Sequence, residues 1–478
     1  MVLAANSDGR LRIISRSRAV TSIRLTQGET MKQGFILGMR GFTLGIAACA
    51  LMLVSSRAAR ADAIPAGGQG VHVKVIGFSA LGGRYGAFKM ALNHPIDGRW
   101  YLYMGHSFDL GWSILDVTDP AQPKLVKFIP FDGPKDWITA QVTVHDNLMI
   151  TSLDRRKPAD GPDMIFWDIS DPVNPKEITR WGSGANGAHR NSYPGGKYAY
   201  LSTSYPGFKN KILVILDVSD PAHPKEVGKW WQPGQKDGEP VTGPAGGFHG
   251  PANISPDGKM LTTGYMPDVI NLDISDPTQP KLIGKLQMTP PFASVGSQSL
   301  HTTLPLWDRK LIYVSSEAMD ERCRDNGMNF AGIIDNSDPT KPRLISVFPT
   351  PVPPKNAAYK DFCDKGGRFG PHNTNQEIHN SAVQQPGTLI YIAYFNAGLR
   401  IFDISEPRLP KEVGYFMPPE RQGLPEHTGA HASPINWSEE VAVDTRGNIY
   451  LNDDKWGTFV LRYTGKIPEK EPTKSAAK

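Results

Sequence analysis

Several signatures common in enzymes are missing from this chain of 478 residues. It contains no CxxC pair and no HExxH, G-x-S-x-G or P-loop pattern, so no reaction class is announced by a local motif. Apolar runs are short, whereas Gly (48) and Pro (41) are abundant. This balance is typical of an all-β protein with many tight turns.

A basic stripe of the kind found in nucleic-acid-binding domains is also missing. The net charge is +5, but residues 1–63 hold nine of the 52 Lys and Arg and three of the 47 Asp and Glu. The remaining residues therefore carry 43 basic and 44 acidic side chains, a net charge of about −1. The composition gives no support to nucleic-acid binding, and we expect no nucleic-acid partner.

The N-terminal region resembles an export signal. Met31–Arg40 is a basic segment, Gly41–Val54 is an apolar run of 14 residues, and a small-x-small pattern ends at Ala63. A run of 14 residues is short for a membrane anchor, and lipoprotein processing at Cys49 is the other alternative. We expect residues 1–63 to be a leader, residues 64–465 the folded domain and residues 466–478 a disordered tail.

This interpretation predicts export to the periplasm or secretion, with no stable membrane span after cleavage. Two cysteines, Cys323 and Cys363, then remain in the folded domain. In an oxidising compartment they could form a disulfide, and two free buried thiols are the alternative.

One sequence motif is repeated six times along the chain. It is a β-branched run, then Asp-Pro-x-x-Pro or a close variant, then an alternating strand, and it begins at Leu115, Trp167, Leu216, Leu272, Ile334 and Phe402. Asp and Pro favour a tight turn, and the second Pro blocks a helix or a central strand there. Each unit therefore predicts a strand C, a turn and an outer strand D.

Seven turn-plus-aromatic segments, the first from His94 and the last from Asp444, predict seven A–B hairpins. The seventh C strand is Gly457–Gly465, and its missing partner is expected at the front of the chain, in Val73–Phe78. Pairing the first strand with the last blade closes a ring. We predict an all-β fold, a seven-bladed β-propeller whose N-terminal strand closes the last blade.

The D-[IV]-[ST]-D-P-x-x-P-[KR] units resemble the LVIVD repeats of a bacterial family of exported β-propellers. The resemblance covers about Gly70 to Gly465. It implies a propeller fold and carries little information about activity.

In a propeller, the A–B and C–D turns share one face, and the longer B–C and D–A connections share the other. The long segments here are Ser316–Gly332, residues 349–377 and residues 417–436. Function concentrates in such loops. Cys323 and Cys363 lie in two of them, which favours the disulfide.

Four histidines occupy similar positions, 8 to 10 residues before the residue that closes an A–B turn: His189, His249, His301 and His379. We expect them at the start of the innermost strands of successive blades, facing the central channel. Neutral imidazoles that converge there would suit Fe or Cu, or Zn. The alternative is a set of structural histidines that bond to neighbouring loops.

Three further residues are candidates for catalysis. His427 and His431 lie on the blade six-to-seven loop and could supply a ligand or an acid/base, and Glu377 could accept a hydrogen bond from an imidazole. The histidine pattern is similar in geometry to the iron site of carotenoid-cleaving oxygenases and to the copper-dependent thiol oxidases of the selenium-binding family, without their local signatures.

The sequence thus favours an exported, metal-dependent propeller enzyme, an oxidoreductase that acts on a small, aromatic or apolar substrate. The competing interpretation is a non-catalytic scaffold that binds a protein or a glycan. The pattern leaves the oligomeric state open.

Overall fold

A computed structural model describes residues 62–469, apart from 96, 156–158, 242–245, 293–296, 326 and 422–432, together with the backbone of two short N-terminal strands. The chain divides into two units, residues 1–56 and residues 57–478. In the first unit, Val2–Ala5 pairs antiparallel with Leu11–Ile14. The leader segments at Met31–Arg40 and Gly41–Val54 lie outside the described residues.

The second unit is a seven-bladed β-propeller, as the repeats predicted. Most blades are four-stranded antiparallel sheets, because each repeat supplies a hairpin and a C–D pair. Blades one to three contain Ala87–Asn93, Tyr101–His106, Gly111–Asp116 and Lys124–Pro130; Val142–His145, Leu148–Ser152, Met164–Asp168 and Lys176–Trp181; and Ala188–Ser192, Tyr198–Ser204, Lys211–Asp217 and Lys225–Trp230. A short pair beside blade two joins Trp137–Ile138 to Asp154–Arg155.

The remaining blades follow the same order around the ring. Blades four and five contain Gly247–Phe248, Asn253–Ile254, Met260–Met266, Asp268–Asp273 and Lys281–Gln287; and Ser297–Leu306, Leu311–Ala318, Ala331–Asp335 and Arg343–Val347. Blades six and seven contain Leu389–Ala393, Leu399–Asp403, Lys411–Met417 and Gln69–Val71; and Ser438–Val443, Asn448–Asp453, Gly457–Tyr463 and Val73–Ser79.

The N-terminal strand closes the ring, as predicted. Val73–Ser79 pairs antiparallel with Gly457–Tyr463 and becomes the outer strand of blade seven. The preceding residues, Gln69–Val71, pair with Lys411–Met417 and add an outer strand to blade six. The first residues of the domain therefore join two blades, and the ring has no unpaired strand at its seam.

The Asp-Pro turns act as predicted, with the aspartate side chain accepting backbone N–H groups. Asp217 Oδ1 accepts from Ser219 N at 3.0 Å, and Asp220 Oδ1 accepts from Ala222 N at 3.1 Å. These bonds satisfy backbone N–H groups that have no partner in the β-sheet, because the chain turns there between strands C and D.

A glycine in each of several D strands makes room for the next blade. A Cβ added at Gly228 would lie 2.0 Å from the Pro277 oxygen, in the C–D turn of blade four. At Gly284 the nearest atom would be the Pro339 oxygen of blade five, at 2.5 Å. The repeat therefore carries a glycine where neighbouring blades approach through their backbones.

The core lies between the blades, where the apolar faces of neighbouring sheets meet. Tyr200, Leu213 and Ile215 of blade three pack with Phe248 and Leu261 of blade four. Helix is scarce in the described residues, and consists of Phe362–Lys365 and two 3-10 turns, Trp307–Arg309 and Cys323–Asp325. None of the described helices has the length and hydropathy that crossing a bilayer requires.

The predicted disulfide is present between Cys323 and Cys363. Cys323 lies in the B–C connection of blade five and Cys363 in the connection from blade five to blade six. The bond therefore joins two of the long segments on the same face.

Candidate metal centre

Four imidazoles from successive blades lie in a row at the central channel. The ring centroids of His189 and His249 are 4.7 Å apart, those of His249 and His301 are 4.4 Å apart, and those of His301 and His372 are 4.4 Å apart. We call these four residues the imidazole row. Each comes from the start of an innermost strand or lies close to it, which is where the pattern predicted them for blades three to five.

The assignment of His379 to this group is corrected by the structure. Its Nε2 accepts a hydrogen bond from the backbone of Ile254 at 3.1 Å. Ile254 lies beside the A–B turn of blade four, at the opposite end of the inner strand from His249. His372 takes the place in the row that the sequence assigned to His379.

The reason for the difference is the inner segment of blade six. His372 N donates to Ala393 O, and Ala393 N donates to Asn373 O, so the innermost position of this blade is reached at residues 372–374. Residues 375–388 then form an A–B connection much longer than a turn. The spacing rule counts back from the end of that connection, so in blade six it reaches His379, which lies inside the connection and not in the inner segment at the channel. One local feature of the sequence could have identified His372. A Phe and a Gly precede it in "RFGPHN", and a Gly and a Phe also precede His249 in "GGFHGP".

The hydrogen bonds of the row leave ring nitrogens with lone pairs in its interior. Arg190 Nη2 donates to His301 Nε2 at 2.8 Å, while His301 Nδ1 lies 2.8 Å from Thr302 Oγ1. His372 Nδ1 donates to the Glu439 carbonyl at 2.7 Å, so its Nε2 carries the lone pair. The buried Nδ1 of His249 has no hydrogen-bond partner among the described residues.

Burial keeps these imidazoles uncharged near neutral pH. Desolvation lowers the pKa of His249 and of His301 well below the usual range, with the Arg190 guanidinium adding to the effect. Desolvation also lowers the pKa of His372 to about 4, although the nearby Glu317 carboxylate opposes this shift. Neutral imidazole is the form that binds metal ions.

A carboxylate faces two of these nitrogens. Glu317 Oε2 lies 3.5 Å from His301 Nε2, and Glu317 Oε1 lies 3.6 Å from His372 Nε2. His249, His301 and Glu317 each offer a ligand atom within 4.8 Å of the others, the one such group in the part of the chain that the structure describes. Two ligands about 2.1 Å from a tetrahedral ion lie about 3.4 Å apart, so these separations suit a shared transition metal.

Two arginines supply positive charge at the same place. Arg368 Nη1 lies 3.0 Å from Glu317 Oε1. Arg190 is buried, reaches Asn373 Oδ1 at 3.2 Å as well as His301, and its pKa is lowered by desolvation to about 10. An ion bound at His301 Nε2 would take the acceptor that Arg190 now uses, so the guanidinium would have to turn towards its amide partners.

The opposite end of the channel is crossed by residues 374–385. Asn380 Nδ2 donates to Leu92 O of blade one at 2.6 Å and to Val144 O of blade two at 3.1 Å. Asn375 Oδ1 accepts from Val443 N of blade seven at 2.9 Å. The row is therefore approached from the face that carries the long connections.

Glu377 belongs to this crossing segment and does not orient an imidazole of the row. Its Oε1 pairs with Lys89 Nζ at 2.9 Å, and its Oε2 accepts from Thr143 Oγ1 at 3.2 Å. Lys89 also lies 3.6 Å from Glu440, whose pKa is raised to about 7, chiefly by burial. His427 and His431, the other two catalytic candidates, lie outside the described residues.

Comparison with known proteins identifies the repeat. The LVIVD repeat matches residues 195–230, 269–287 and 383–417. The chain matches no curated protein.

Three solved structures illustrate what this chain is similar to. A functionally unknown protein from Desulfotomaculum acetoxidans is 14% identical, with a TM-score of 0.45 over 69% of this chain and 85% of its own. The β-propeller domain of Cps50 (Swd1) from Myceliophteria thermophila is 11% identical, with a TM-score of 0.47 over 79% and 96%. A Lactobacillus plantarum protein is 11% identical, with a TM-score of 0.45 over 79% and 97%.

Proposed function

We propose that this seven-bladed propeller, a chain that carries LVIVD repeats, is an exported metal-dependent enzyme. It would be an oxidoreductase that acts on a small, aromatic or apolar substrate at the mouth of its channel. His249, His301 and Glu317 would hold the ion, with His372 as a further donor. The observation that carries the proposal is the position of Glu317, 3.5 and 3.6 Å from two imidazole nitrogens.

The donor set favours iron, copper or zinc. Two imidazoles with one carboxylate, and positions left open, suit a non-haem iron(II) centre, and additional imidazoles suit copper or zinc. When bound, such an ion would supply redox or Lewis-acid chemistry to a substrate beside it. A lone pair that faces a carboxylate across 3.6 Å, as at His372, is repulsive unless a proton or a cation lies between them.

The chain's own groups would orient these ligands. Thr302 holds the proton of His301 on Nδ1, and the Glu439 carbonyl holds the proton of His372 on Nδ1. In both rings Nε2 then carries the lone pair that would bind a cation, and at His301 the ion would replace the hydrogen bond from Arg190. Arg368 would remain paired with Glu317 and fix the direction of its carboxylate.

Metal analysis of the purified protein tests the proposal. We expect about one Fe or Cu, or Zn, per chain, and its loss in a His249→Ala/His301→Ala variant, since two of the donors are then removed. His223→Ala is the matched control, because His223 is exposed and pairs with Asp220 through Nδ1 at 2.8 Å. Folded wild-type protein that stays metal-free after incubation with each ion would contradict the proposal.

One observation favours a second candidate, a non-catalytic exported scaffold. Arg190 already donates to His301 Nε2 at 2.8 Å, and with Arg368 it provides cations beside Glu317. A cluster whose charges are balanced in this way could serve to pack the channel of a propeller that binds a protein or a glycan on the same face. Metal-free protein of full stability is the outcome that this candidate requires.

A further inference from the structure

A cavity opens beside the imidazole row, between blades three and four. Its volume is about 630 Å³, a size typical of small-molecule sites. Tyr205, Phe208 and Phe248 contribute aromatic surface to a lining that is otherwise largely polar, and His189 and His249 lie along it. It therefore combines apolar area with access to the candidate metal centre.

His189, which lines this cavity, carries a hydrogen-bond acceptor. Its Nδ1 lies 2.9 Å from Asp154 Oδ2. Burial alone would raise the pKa of Asp154, but the hydrogen bond from His189, with the charge of Lys211 and the backbone N–H of Arg155, holds it well below the usual range. The ionised carboxylate fixes the proton on Nδ1, so Nε2 keeps its lone pair. Among the described residues, no group donates to that nitrogen.

The charges around the cavity are compensated within the protein. Lys211 Nζ lies 3.4 Å from Asp154 Oδ1, and the buried Arg155 pairs with Asp163 at 3.0 Å. A charged ligand would have to compete with these pairs, whereas an uncharged one would not. A neutral ring with one donor group fits walls of this kind best.

We propose that the cavity binds an uncharged hydroxyl-bearing aromatic compound, a phenol or an aryl alcohol, whose hydroxyl donates to His189 Nε2. The ring lies against the aromatic surface, and His189 acts as a binding residue that selects for the hydroxyl. The inference rests on the proposed function in one respect, because this cavity, which is lined by His249 of the candidate metal centre, would be the substrate site of that enzyme.

Binding of two matched ligands to chelator-treated protein tests the proposal. The ligands are 4-methylphenol and its methyl ether, 4-methylanisole: the phenol oxygen can donate a hydrogen bond, whereas the ether oxygen carries a methyl group and can only accept one. We expect the phenol to bind about tenfold more tightly, which corresponds to one hydrogen bond that is not replaced by water. Isothermal titration calorimetry measures both dissociation constants without any assay of activity.

His189→Phe removes the acceptor and retains a flat ring, so we expect it to abolish the preference for the phenol. His223→Phe is the matched control, since His223 also pairs with an aspartate through Nδ1 but lies at the exposed surface. We expect this control to retain the wild-type preference. Circular dichroism checks that each variant is folded.

Equal binding of the two ligands by the wild type, or no binding of either, overturns the inference even if His189→Phe fails to fold. A phenol preference that survives in folded His189→Phe also overturns it. Because the protein is stripped of metal, these outcomes are independent of the elemental analysis. Phenol binding by a protein that binds no metal would contradict the proposed metal-dependent enzyme and would still support the binding site proposed here.

Discussion

At the scale of single residues, His106 shows what burial alone does to a histidine in this fold. It lies in strand B of blade one, donates from Nδ1 to Tyr85 O at 3.0 Å and accepts at Nε2 from Ser113 Oγ at 2.8 Å. Both nitrogens are satisfied, so the ring is a structural group. Desolvation lowers its pKa to about 4.

This pKa makes stability depend on pH in a defined direction. Between pH 6.5 and 4 the unfolded chain binds a proton at this position that the folded chain does not, so the contribution of neutral His106 is complete above pH 6.5 and is lost as the pH falls towards 4. We expect this group alone to contribute a loss of about 3 kcal/mol over that window.

Urea unfolding of the wild type and of His106→Gln, at several pH values, measures this effect. The variant lacks the titrating ring, so its disadvantage in free energy of unfolding is largest at pH 7 and shrinks as the pH falls. His223→Gln is the control, since that side chain is exposed. A disadvantage that is constant with pH would show that His106 does not titrate as described.

The imidazole row shows which residues of the candidate site the sequence pattern could identify and which it could not. Spacing from the A–B turns identified His189, His249 and His301, because those three blades keep the distance from turn to channel nearly constant. The same rule selected His379 and missed His372, since blade six has a long A–B connection. Arg190 and Glu317 carried no spacing signal, and only the packing of blades three, five and six brings them to the row.

At the scale of elements, two long connections are joined on the face that leads to the row. Cys323 and Cys363 form a disulfide, and Arg368 bonds Glu317 at 3.0 Å between the same two segments. Arg324 adds an exposed pair with Asp364 at 2.7 Å. The covalent bond therefore restrains the segment that carries Arg368 beside the strand end that carries Glu317.

We expect the Cys323→Ser/Cys363→Ser variant to be less stable than the oxidised wild type by roughly 2 to 4 kcal/mol, because 40 residues separate the two cysteines and the cross-link restricts the unfolded chain. Urea unfolding without reductant measures the difference. Reduced wild type should behave like the variant, and equal stability of all three forms would contradict this account.

At the scale of the whole molecule, the ring depends on its N-terminal strand. Val73–Ser79 supplies the outer strand of blade seven, and its Phe78 is buried against Phe459 with ring centroids 4.9 Å apart. Without this strand, Gly457–Tyr463 would expose its backbone groups and the apolar face beneath them.

Two truncated chains test ring closure. A chain that begins at Ile64 retains the strand, and we expect it to unfold like the untruncated protein. A chain that begins at Ala80 should lose at least about 4 kcal/mol, the typical cost of deleting one buried Phe side chain, in addition to the strand pairing. Urea unfolding and size-exclusion chromatography measure stability and association. A stable monomer that begins at Ala80 would disprove the closure.

The sequence by itself determined the blades, the number of them and the seam, because strand runs, Asp-Pro turns and glycines act over a few residues and are repeated. It also placed the two cysteines on one face, because the propeller topology assigns both of their loops to that face. Only the tertiary structure decided which histidines meet, how residues 374–385 cross the channel and where Glu317 and Arg190 stand. Those contacts join residues far apart in the chain, and their distances depend on how the blades pack around the axis.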